Sequence, residues 1–258
     1  MTPHIYPVAR YERAPEAIEW LCRAFGFESR AVFDGPNHTV AHAELAYGAG
    51  TVGLSSAGPV DPKNVWTTVR DGIYVCIPDP SAHHSHARAA GATIERGPRD
   101  MDYGSREYTA RDAEGYLWSF GTYGMTHAEG SPVFFPELRY RNGRAAVEFL
   151  TRAFALEPGL TISGDDGAVH HAELWVGDGA LMVGGGAERE DLWRGRSMCT
   201  HVVLDDPDAH HAKAAAAGAT IVQAPADTSY GARSYLAQDL EGFLWGFSTY
   251  RPQRPETR

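Results

Sequence analysis

Two copies of the segment His-Ala-Glu-Leu carry residues that could do chemistry. His42 and Glu44 stand two positions apart in the first copy, as do His171 and Glu173 in the second. Alternate residues of a β-strand point to the same face, so each histidine is expected beside its glutamate. Such a pair can act as a general base or bind a divalent cation. It is equally typical of polar strand residues that hydrogen-bond each other.

These segments belong to a duplication that covers nearly the whole chain. Four blocks recur in the same order at an almost constant offset, which is far beyond chance. The matching blocks are 10–28 with 139–157, 42–50 with 171–179, 79–94 with 206–221 and 103–123 with 230–250. The sequence therefore predicts a first domain over 1–124, a linker over 125–131, a second domain over 132–251 and a tail over 252–258.

Each copy divides again into two halves with the same order of elements. The first half has a β-prone run, then a helix, then further strands; the helix carries one apolar stripe of Ile18, Leu21, Cys22 and Phe25. The second half has a strand, a helix that is expected to end at Gly91 or Gly218, and a closing hairpin. The sequence therefore predicts an α+β fold of four β-α-β-β-β units, with the helices on one face of each sheet.

Composition restricts the partners. The formal net charge is −10, and the sequence lacks the basic stripe that nucleic-acid binding needs. No apolar run is long enough to cross a membrane. Cys22, Cys76 and Cys199 are too few and too irregularly spaced for a disulfide framework. The opening residues lack a signal-peptide pattern, so we expect a cytoplasmic protein with a small-molecule ligand, no nucleic acid and no membrane partner.

Strand parity selects the side chains that face away from the helices. Arg10 and Arg139, on the first strands, are placed for an anionic group of a ligand or for a nearby glutamate. The ligand-binding candidates on strands are Tyr6, Arg10, His42, Glu44 and Tyr74 in the first copy, and Phe135, Glu137, Arg139, His171, Glu173 and His201 in the second.

Loops entering the closing strands supply the remaining candidates. Tyr103 and Arg106, like Tyr230 and Arg233, could stack on and hydrogen-bond a planar or anionic ligand. Each arginine could equally neutralise a carboxylate such as Asp112 or Asp239.

Four histidines begin helices whose alanines form the buried stripe. His83 and His84, and likewise His210 and His211, are adjacent and point in different directions, so they are expected to be solvent-exposed.

The second-half blocks resemble the vicinal oxygen chelate superfamily, which includes glyoxalase I, bleomycin-resistance proteins and extradiol dioxygenases. The resemblance lies in the Asp-Pro helix that ends in AGATI and in the YGxR…D-x-E-G-x-x-W pattern, and it covers nearly the whole chain twice. It implies tandem glyoxalase/bleomycin-resistance-like domains, whose βαβββ units form cup-shaped sheets with the helices on the outer face. The cup holds a metal or an organic ligand.

Metal-dependent relatives place histidine or glutamine on the first strand of a unit and glutamate on its last strand. By this resemblance, only one of eight such positions is a ligand for a divalent ion. The positions are Tyr6, Tyr74, Phe135 and His201 on first strands, and Gly53, Ser119, Met182 and Gly246 on last strands. We therefore favour no cofactor, and keep as the alternative a divalent metal in the second domain, held by His171, Glu173 and His201.

The leading hypothesis is a binding protein of the bleomycin-resistance type, which sequesters a planar or aromatic metabolite or antibiotic without a metal. The alternative is a glyoxalase- or dioxygenase-like lyase or isomerase, with a divalent metal or with His171 or Glu173 as a general base in the second domain. Because the two copies would mimic the dimer of single-copy relatives, the chain is expected to be a monomer acting as a pseudo-dimer, or a homodimer.

Overall fold

A computed structural model describes residues 5–57, 71–123, 134–186 and 198–252. The predicted linker over 125–131, and the predicted tail apart from its first residue, lie outside the described residues.

The described chain contains four α-helices and two eight-stranded sheets, built from four successive β-α-β-β-β sets. The first set is β1 (Ile5–Tyr11), α1 (Ala14–Phe25), β2 (Glu28–Asp34), β3 (Val40–Tyr47) and β4 (Gly50–Ser56). The second is β5 (Asp71–Cys76), α2 (Pro80–Ala89), β6 (Thr93–Asp100), β7 (Arg106–Arg111) and β8 (Leu117–Gly121). The third is β9 (Phe134–Arg139), α3 (Gly143–Phe154), β10 (Glu157–Ser163), β11 (Val169–Val176) and β12 (Gly179–Gly184). The fourth is β13 (Cys199–Val203), α4 (Pro207–Ala216), β14 (Thr220–Asp227), β15 (Arg233–Gln238) and β16 (Leu244–Ser248). The predicted α+β duplication is thus confirmed.

All four sets share one strand order. The first strand lies parallel to the last, and the last is followed by the third and then the second, as in β1-β4-β3-β2. Parallel neighbours need a long connection, and the helix and the intervening hairpin supply it. By contacts the chain divides into two compact units. Among the described residues, the first-repeat unit comprises 7–57, 72–123, 134 and 252, and the second-repeat unit comprises 5–6, 71, 135–186 and 198–251.

Each helix covers one face of its sheet with an apolar stripe. In the second-repeat unit, Leu150 and Phe154 of α3 are buried together with Leu138, Leu174 and Val183 of the sheet. In the first-repeat unit Leu21 and Phe25 of α1 are also buried, and Phe25 packs against Trp118 and Phe120 of the closing strand β8. The opposite face of each set, here called the helix-distal face, is thereby left for polar residues.

A buried hydrogen-bond network closes each repeat. The Tyr11 hydroxyl and Trp118 Nε1 both donate to Asp112 Oδ2, at 2.5 and 3.0 Å, while backbone amides of the D-x-E-G turn donate to Asp112 Oδ1. Burial raises the pKa of the Asp112 carboxyl. Asp239 holds Tyr140 and Trp245 in the same way. The motif therefore ties the last strand of each repeat to the first.

The expectation that the helix histidines are solvent-exposed is wrong for His83 and His210. His83 Nε2 lies 3.0 Å from the Phe25 carbonyl oxygen, and its Nδ1 lies 2.5 Å from the Tyr108 hydroxyl. His210 makes the same two contacts with Phe154 and Tyr235. A carbonyl can only accept, so Nε2 carries the proton and Nδ1 accepts from the tyrosine. These side chains connect the two helices of a repeat.

Candidate functional site

The helix-distal face of β9, β12 and β11 in the second-repeat unit carries a row of polar side chains. Strand register places Arg139 opposite Gly184, and Gly184 opposite His171. A Cβ on residue 184 would lie 2.7 Å from Arg139 Cδ, so the arginine lies directly across the glycine. The missing side chain on Gly184 is what lets the guanidinium extend along the row toward β11.

The neighbouring row on the same face holds two carboxylates. Glu137 pairs in register with Met182, and Met182 pairs with Glu173. Glu173 is buried, with 8% of its surface exposed. A buried carboxylate is costly unless it is compensated, so a face that keeps one buried and one half-buried carboxylate is built for polar interaction rather than for packing alone. The structure thus brings Glu137, Arg139, His171 and Glu173 onto one surface.

The first-repeat unit repeats this arrangement on β3. His42 Nε2 lies 3.4 Å from Glu44 Oε1, and Glu44 is 1% exposed. Glu44 lies opposite Gly53, whose missing Cβ leaves room for Val8 and for the His42 ring. A half-buried imidazole beside a buried carboxylate is the geometry expected of a general base or of a local polar pair.

Arg10 differs from its counterpart Arg139 because its register partner is Ser55 instead of a glycine. A Cβ at position 184 would lie 2.7 Å from Arg139 Cδ, so a side chain at the equivalent position 55 is incompatible with the placement that Arg139 adopts. Arg10 instead lines a groove of about 420 Å³, together with Asn37, Thr39, Ser55, Ser56 and neighbouring backbone. The two arginines therefore occupy different surroundings although the sequence presents them as equivalent.

A second polar cluster of the first-repeat unit lies on β5, β8 and β7. The Tyr74 hydroxyl lies 3.2 Å from Glu107 Oε1 and 3.4 Å from Ser105 Oγ. It also accepts a hydrogen bond from the backbone amide of Tyr123 at 2.9 Å. Burial raises the pKa of the Tyr74 phenol, so it serves as a hydrogen-bond donor to the carboxylate and not as a base. Our sequence candidates included Tyr74 but not Glu107. The alternation of Glu107 with the buried residue Tyr108 was the signal that could have identified it.

His201 and Tyr6 form an aromatic pair in the second-repeat unit. Their ring centroids are 5.4 Å apart and nearly parallel. His201 lies over Gly246, where a Cβ would be 2.6 Å from the imidazole Cε1. Phe135 is buried at the start of β9. His201 therefore takes part in an aromatic stack within this unit.

The loop arginines pair with carboxylates, but not with the two named from the sequence. Arg106 Nη1 donates to Asp100 at 2.7 Å, and its Nε donates to Ser81. Arg233 donates to Asp208 and Asp227. Asp112 and Asp239 are instead buried in the tyrosine–tryptophan networks, out of reach of these arginines.

The loop tyrosines, in contrast, are accessible to a ligand. Tyr103 packs edge-on to Tyr123 with centroids 5.9 Å apart, and Tyr230 packs in the same way on Tyr250 at 5.5 Å. Tyr103 and Tyr230 are both more than half exposed.

The strand pairs that would hold the superfamily's metal do not fit one. In strand register Gly53 pairs with Val8, and Met182 pairs with Glu137. Val8 and Glu137 lie two residues after Tyr6 and Phe135, the first-strand positions named from the sequence. The four first-strand and last-strand pairs are Val8 with Gly53, Tyr74 with Ser119, Glu137 with Met182 and His201 with Gly246. Only two of these eight side chains carry a ligand atom that divalent ions favour, one in each of two different sets.

The alternative ligand set does not converge either. His171 and Glu173 lie on β11, whereas His201 lies on β13 in another set. Within the described ranges, no three histidine, cysteine, aspartate or glutamate side chains are grouped so that they could hold a metal ion.

Comparison with known proteins agrees with this architecture. A family model described as the Glyoxalase/Bleomycin resistance protein/Dioxygenase superfamily matches residues 4–120. The chain is 31% identical over 123 residues to uncharacterized protein Mb0911c of Mycobacterium bovis, covering 44% of this chain and 80% of that protein. Protein Rv0887c of Mycobacterium tuberculosis is also 31% identical, with 72% of its length covered.

Solved structures show the same fold over nearly the whole chain. Glyoxalase I from Zea mays superposes with a TM-score of 0.73 at 15% identity, covering 96% of this chain and 92% of that one. A mutant of the same enzyme gives a TM-score of 0.74 at 16% identity, with 96% and 94% covered. No helix in the described ranges is long and apolar enough to cross a membrane. The chain belongs to the Glyoxalase/Bleomycin resistance protein/Dioxygenase superfamily.

Proposed function

We propose that this protein binds a small planar or aromatic organic molecule without a metal ion, as a binding protein of the bleomycin-resistance type. The observation that carries the proposal is which residue types lie on the helix-distal faces. The strand pairs that would coordinate a metal hold residues such as Val8, Gly53 and Met182, while charged side chains surround them. Those faces offer hydrogen-bonding groups to an organic ligand, not a coordination sphere.

The polar groups are held in place before any ligand arrives. Arg139 lies over Gly184, and Glu173 is fixed on a strand in the middle of its set. Side chains that are ordered in advance lose little conformational entropy on binding, which improves affinity. An anionic group of the ligand is expected at the Arg139 guanidinium, because a planar guanidinium recognises a carboxylate through paired hydrogen bonds.

The test uses 2-naphthoate, a planar aromatic carboxylate, titrated by calorimetry into protein that has been stripped with EDTA. We expect binding without added metal, and we expect Arg139→Met to weaken it by about tenfold or more. Arg88→Met is the matched control, because Arg88 is an exposed arginine on α2 away from the sheet face. If 2-naphthoate bound only after Zn, Ni, Mn or Fe was restored, the proposal would be wrong.

A second candidate function is enzymatic, and the His42–Glu44 contact of 3.4 Å favours it. A carboxylate that orients an imidazole can support general-base removal of a carbon-bound proton. In this case 2-hydroxyacetophenone, an aromatic ketone with acidic protons, would exchange them for deuterium in D2O by NMR. The exchange would be lost in Glu44→Gln. Exchange no faster than in buffer alone would exclude this function for that probe.

A further inference from the structure

The Tyr74–Glu107 contact exists in one repeat only, and several positions differ together to permit it. A Cβ on Gly121 would lie 2.7 Å from Glu107 Cγ and 3.0 Å from Tyr74 Cζ, so the contact requires a glycine there. In the second repeat the residues equivalent to Tyr74, Glu107 and Gly121 are, in that order, His201, Ser234 and Ser248. Ser105, which approaches the Tyr74 hydroxyl, is replaced there by Ala232.

The Glu107 carboxylate is half-buried, and among the described residues it has one hydrogen-bond donor, Tyr74. No ion pair joins it to a described basic residue. Its chain neighbour Arg106 points to the other face of the strand, where Asp100 and Ser81 hold its guanidinium. Arg99 lies opposite Glu107 in strand register, but it is exposed and forms no ion pair with any described residue. Among the described residues, Glu107 is therefore a carboxylate held by a tyrosine hydroxyl and not by an ion pair.

Aromatic rings extend from this carboxylate toward solvent. Tyr123, whose amide donates to the Tyr74 hydroxyl, packs edge-on to Tyr74 with centroids 6.5 Å apart. Tyr103 packs edge-on to Tyr123 and is 51% exposed. The faces of tyrosine rings attract organic cations, and a carboxylate beside them adds charge and hydrogen-bond acceptors. The net charge of −10 also favours the approach of a cation.

We propose that Glu107, Tyr74 and the Tyr103–Tyr123 pair form a subsite for a planar organic cation, of the amidinium or guanidinium type, in the first-repeat unit. The Glu107 oxygens accept hydrogen bonds from the cation, Tyr74 holds the carboxylate in place, and the tyrosine rings flank the planar group. The second repeat retains the aromatic pair as Tyr230 and Tyr250 but carries Ser234 in place of the carboxylate, so it lacks this subsite. This inference deepens the proposed small-molecule binding and rests on it.

The test compares two ligands of nearly the same shape. 2-Naphthamidine carries a positive charge, whereas 2-naphthamide is neutral, and both are titrated by calorimetry into the full-length protein. We expect the amidine to bind about tenfold or more tightly than the amide, and Glu107→Gln to abolish the difference. Glu19→Gln removes the same charge from the exposed face of α1 and is expected to leave both affinities unchanged.

Two further variants distinguish a local site from general electrostatic attraction. Gly121→Ser introduces the second-repeat residue and is expected to displace the Tyr74–Glu107 pair and weaken the amidine alone. Arg99→Met removes a positive charge opposite Glu107. Because that charge repels the amidine, the variant is expected to bind the amidine more tightly. Equal amidine affinity in the wild type and Glu107→Gln, with both folded by thermal denaturation, would overturn the proposal. Binding of 2-naphthoate together with no amidine preference would refute this subsite and leave the proposed function standing.

Discussion

His83 and His210 show at the scale of single residues how placement decides chemistry. Each imidazole is positioned between a helix-terminal carbonyl and a tyrosine hydroxyl, and burial lowers the pKa of both. Their sequence neighbours His84 and His211 make ring contacts with the same two tyrosines but donate or accept no side-chain hydrogen bond within the described part of the chain. Adjacent histidines in the sequence therefore have different roles, and the difference arises only from how the helices pack.

The two buried histidines predict a pH dependence of stability. Folding favours their neutral form, so this contribution to the free energy of unfolding is fully present above pH 6.5, the ordinary histidine pKa. It is lost as the pH falls through the lowered pKa. We expect urea denaturation to show a smaller change between about pH 7 and pH 5 in a His83→Gln, His210→Gln double variant than in the wild type. Equal slopes for the two proteins would contradict the assignment, and the His84→Gln, His211→Gln pair is the control.

The Asp112 network gives a second prediction at residue scale. Tyr11→Phe removes one of the donors to Asp112 Oδ2 in a fully buried site, leaving Trp118. We expect the free energy of unfolding to fall by about 1–3 kcal/mol, because a buried acceptor loses a partner. Tyr140→Phe, the same change in the second repeat, is expected to have a similar effect. A loss below about 0.5 kcal/mol in both variants would show that the network contributes little.

At the scale of elements, α1 and α3 end in the same backbone conformation, but with different residues. Gly26 follows α1 with φ of 68°, in the left-handed region that glycine adopts without strain. The corresponding position after α3 is Ala155, with φ of 55°. The second repeat therefore keeps the same helix ending with a residue that is less suited to it.

This difference predicts opposite effects for reciprocal substitutions. Ala155→Gly is expected to raise the free energy of unfolding by about 0.5–1 kcal/mol, and Gly26→Ala to lower it by about 1 kcal/mol. No atom lies closer than 4.0 Å to a Cβ at position 26, so backbone strain and not crowding would cause the loss. Chemical denaturation measures both. If Ala155→Gly destabilised the protein, flexibility gained by the unfolded chain would outweigh the relief of strain.

At the scale of the whole molecule, four sets with one topology carry four different helix-distal faces. Arg139 lies over Gly184, Tyr74 over Gly121 and His201 over Gly246. In each case a glycine on the last strand admits a large side chain from the first. Duplication thus preserved the scaffold while the glycine positions and their partners changed, which lets related sheets present different surfaces.

Metal removal tests this view of the molecule. We expect EDTA treatment to leave the melting temperature unchanged, because a ligand that does not bind the native state cannot stabilise it. Elemental analysis of protein purified without chelators should find no stoichiometric metal. A melting temperature that falls on EDTA treatment and recovers with one added metal would show a resident ion and reverse the conclusion drawn from Val8, Gly53, Met182 and Gly246.

The sequence by itself determined the duplication, the β-α-β-β-β order and the strand parity that turns His42, Glu44, His171 and Glu173 away from the helices. These features follow from local periodicity, turn residues and repetition, which can be read along the chain. It also placed Arg10 and Arg139 at equivalent positions.

Only the tertiary structure decided which side chains meet. Glu107 faces Tyr74 across Gly121, His83 reaches the Phe25 carbonyl, and Arg139 crosses Gly184 while Arg10 lines a groove. Each of these contacts joins residues on different elements, so it depends on strand register and helix packing. A shift of one residue in register would turn the same side chains to the opposite face.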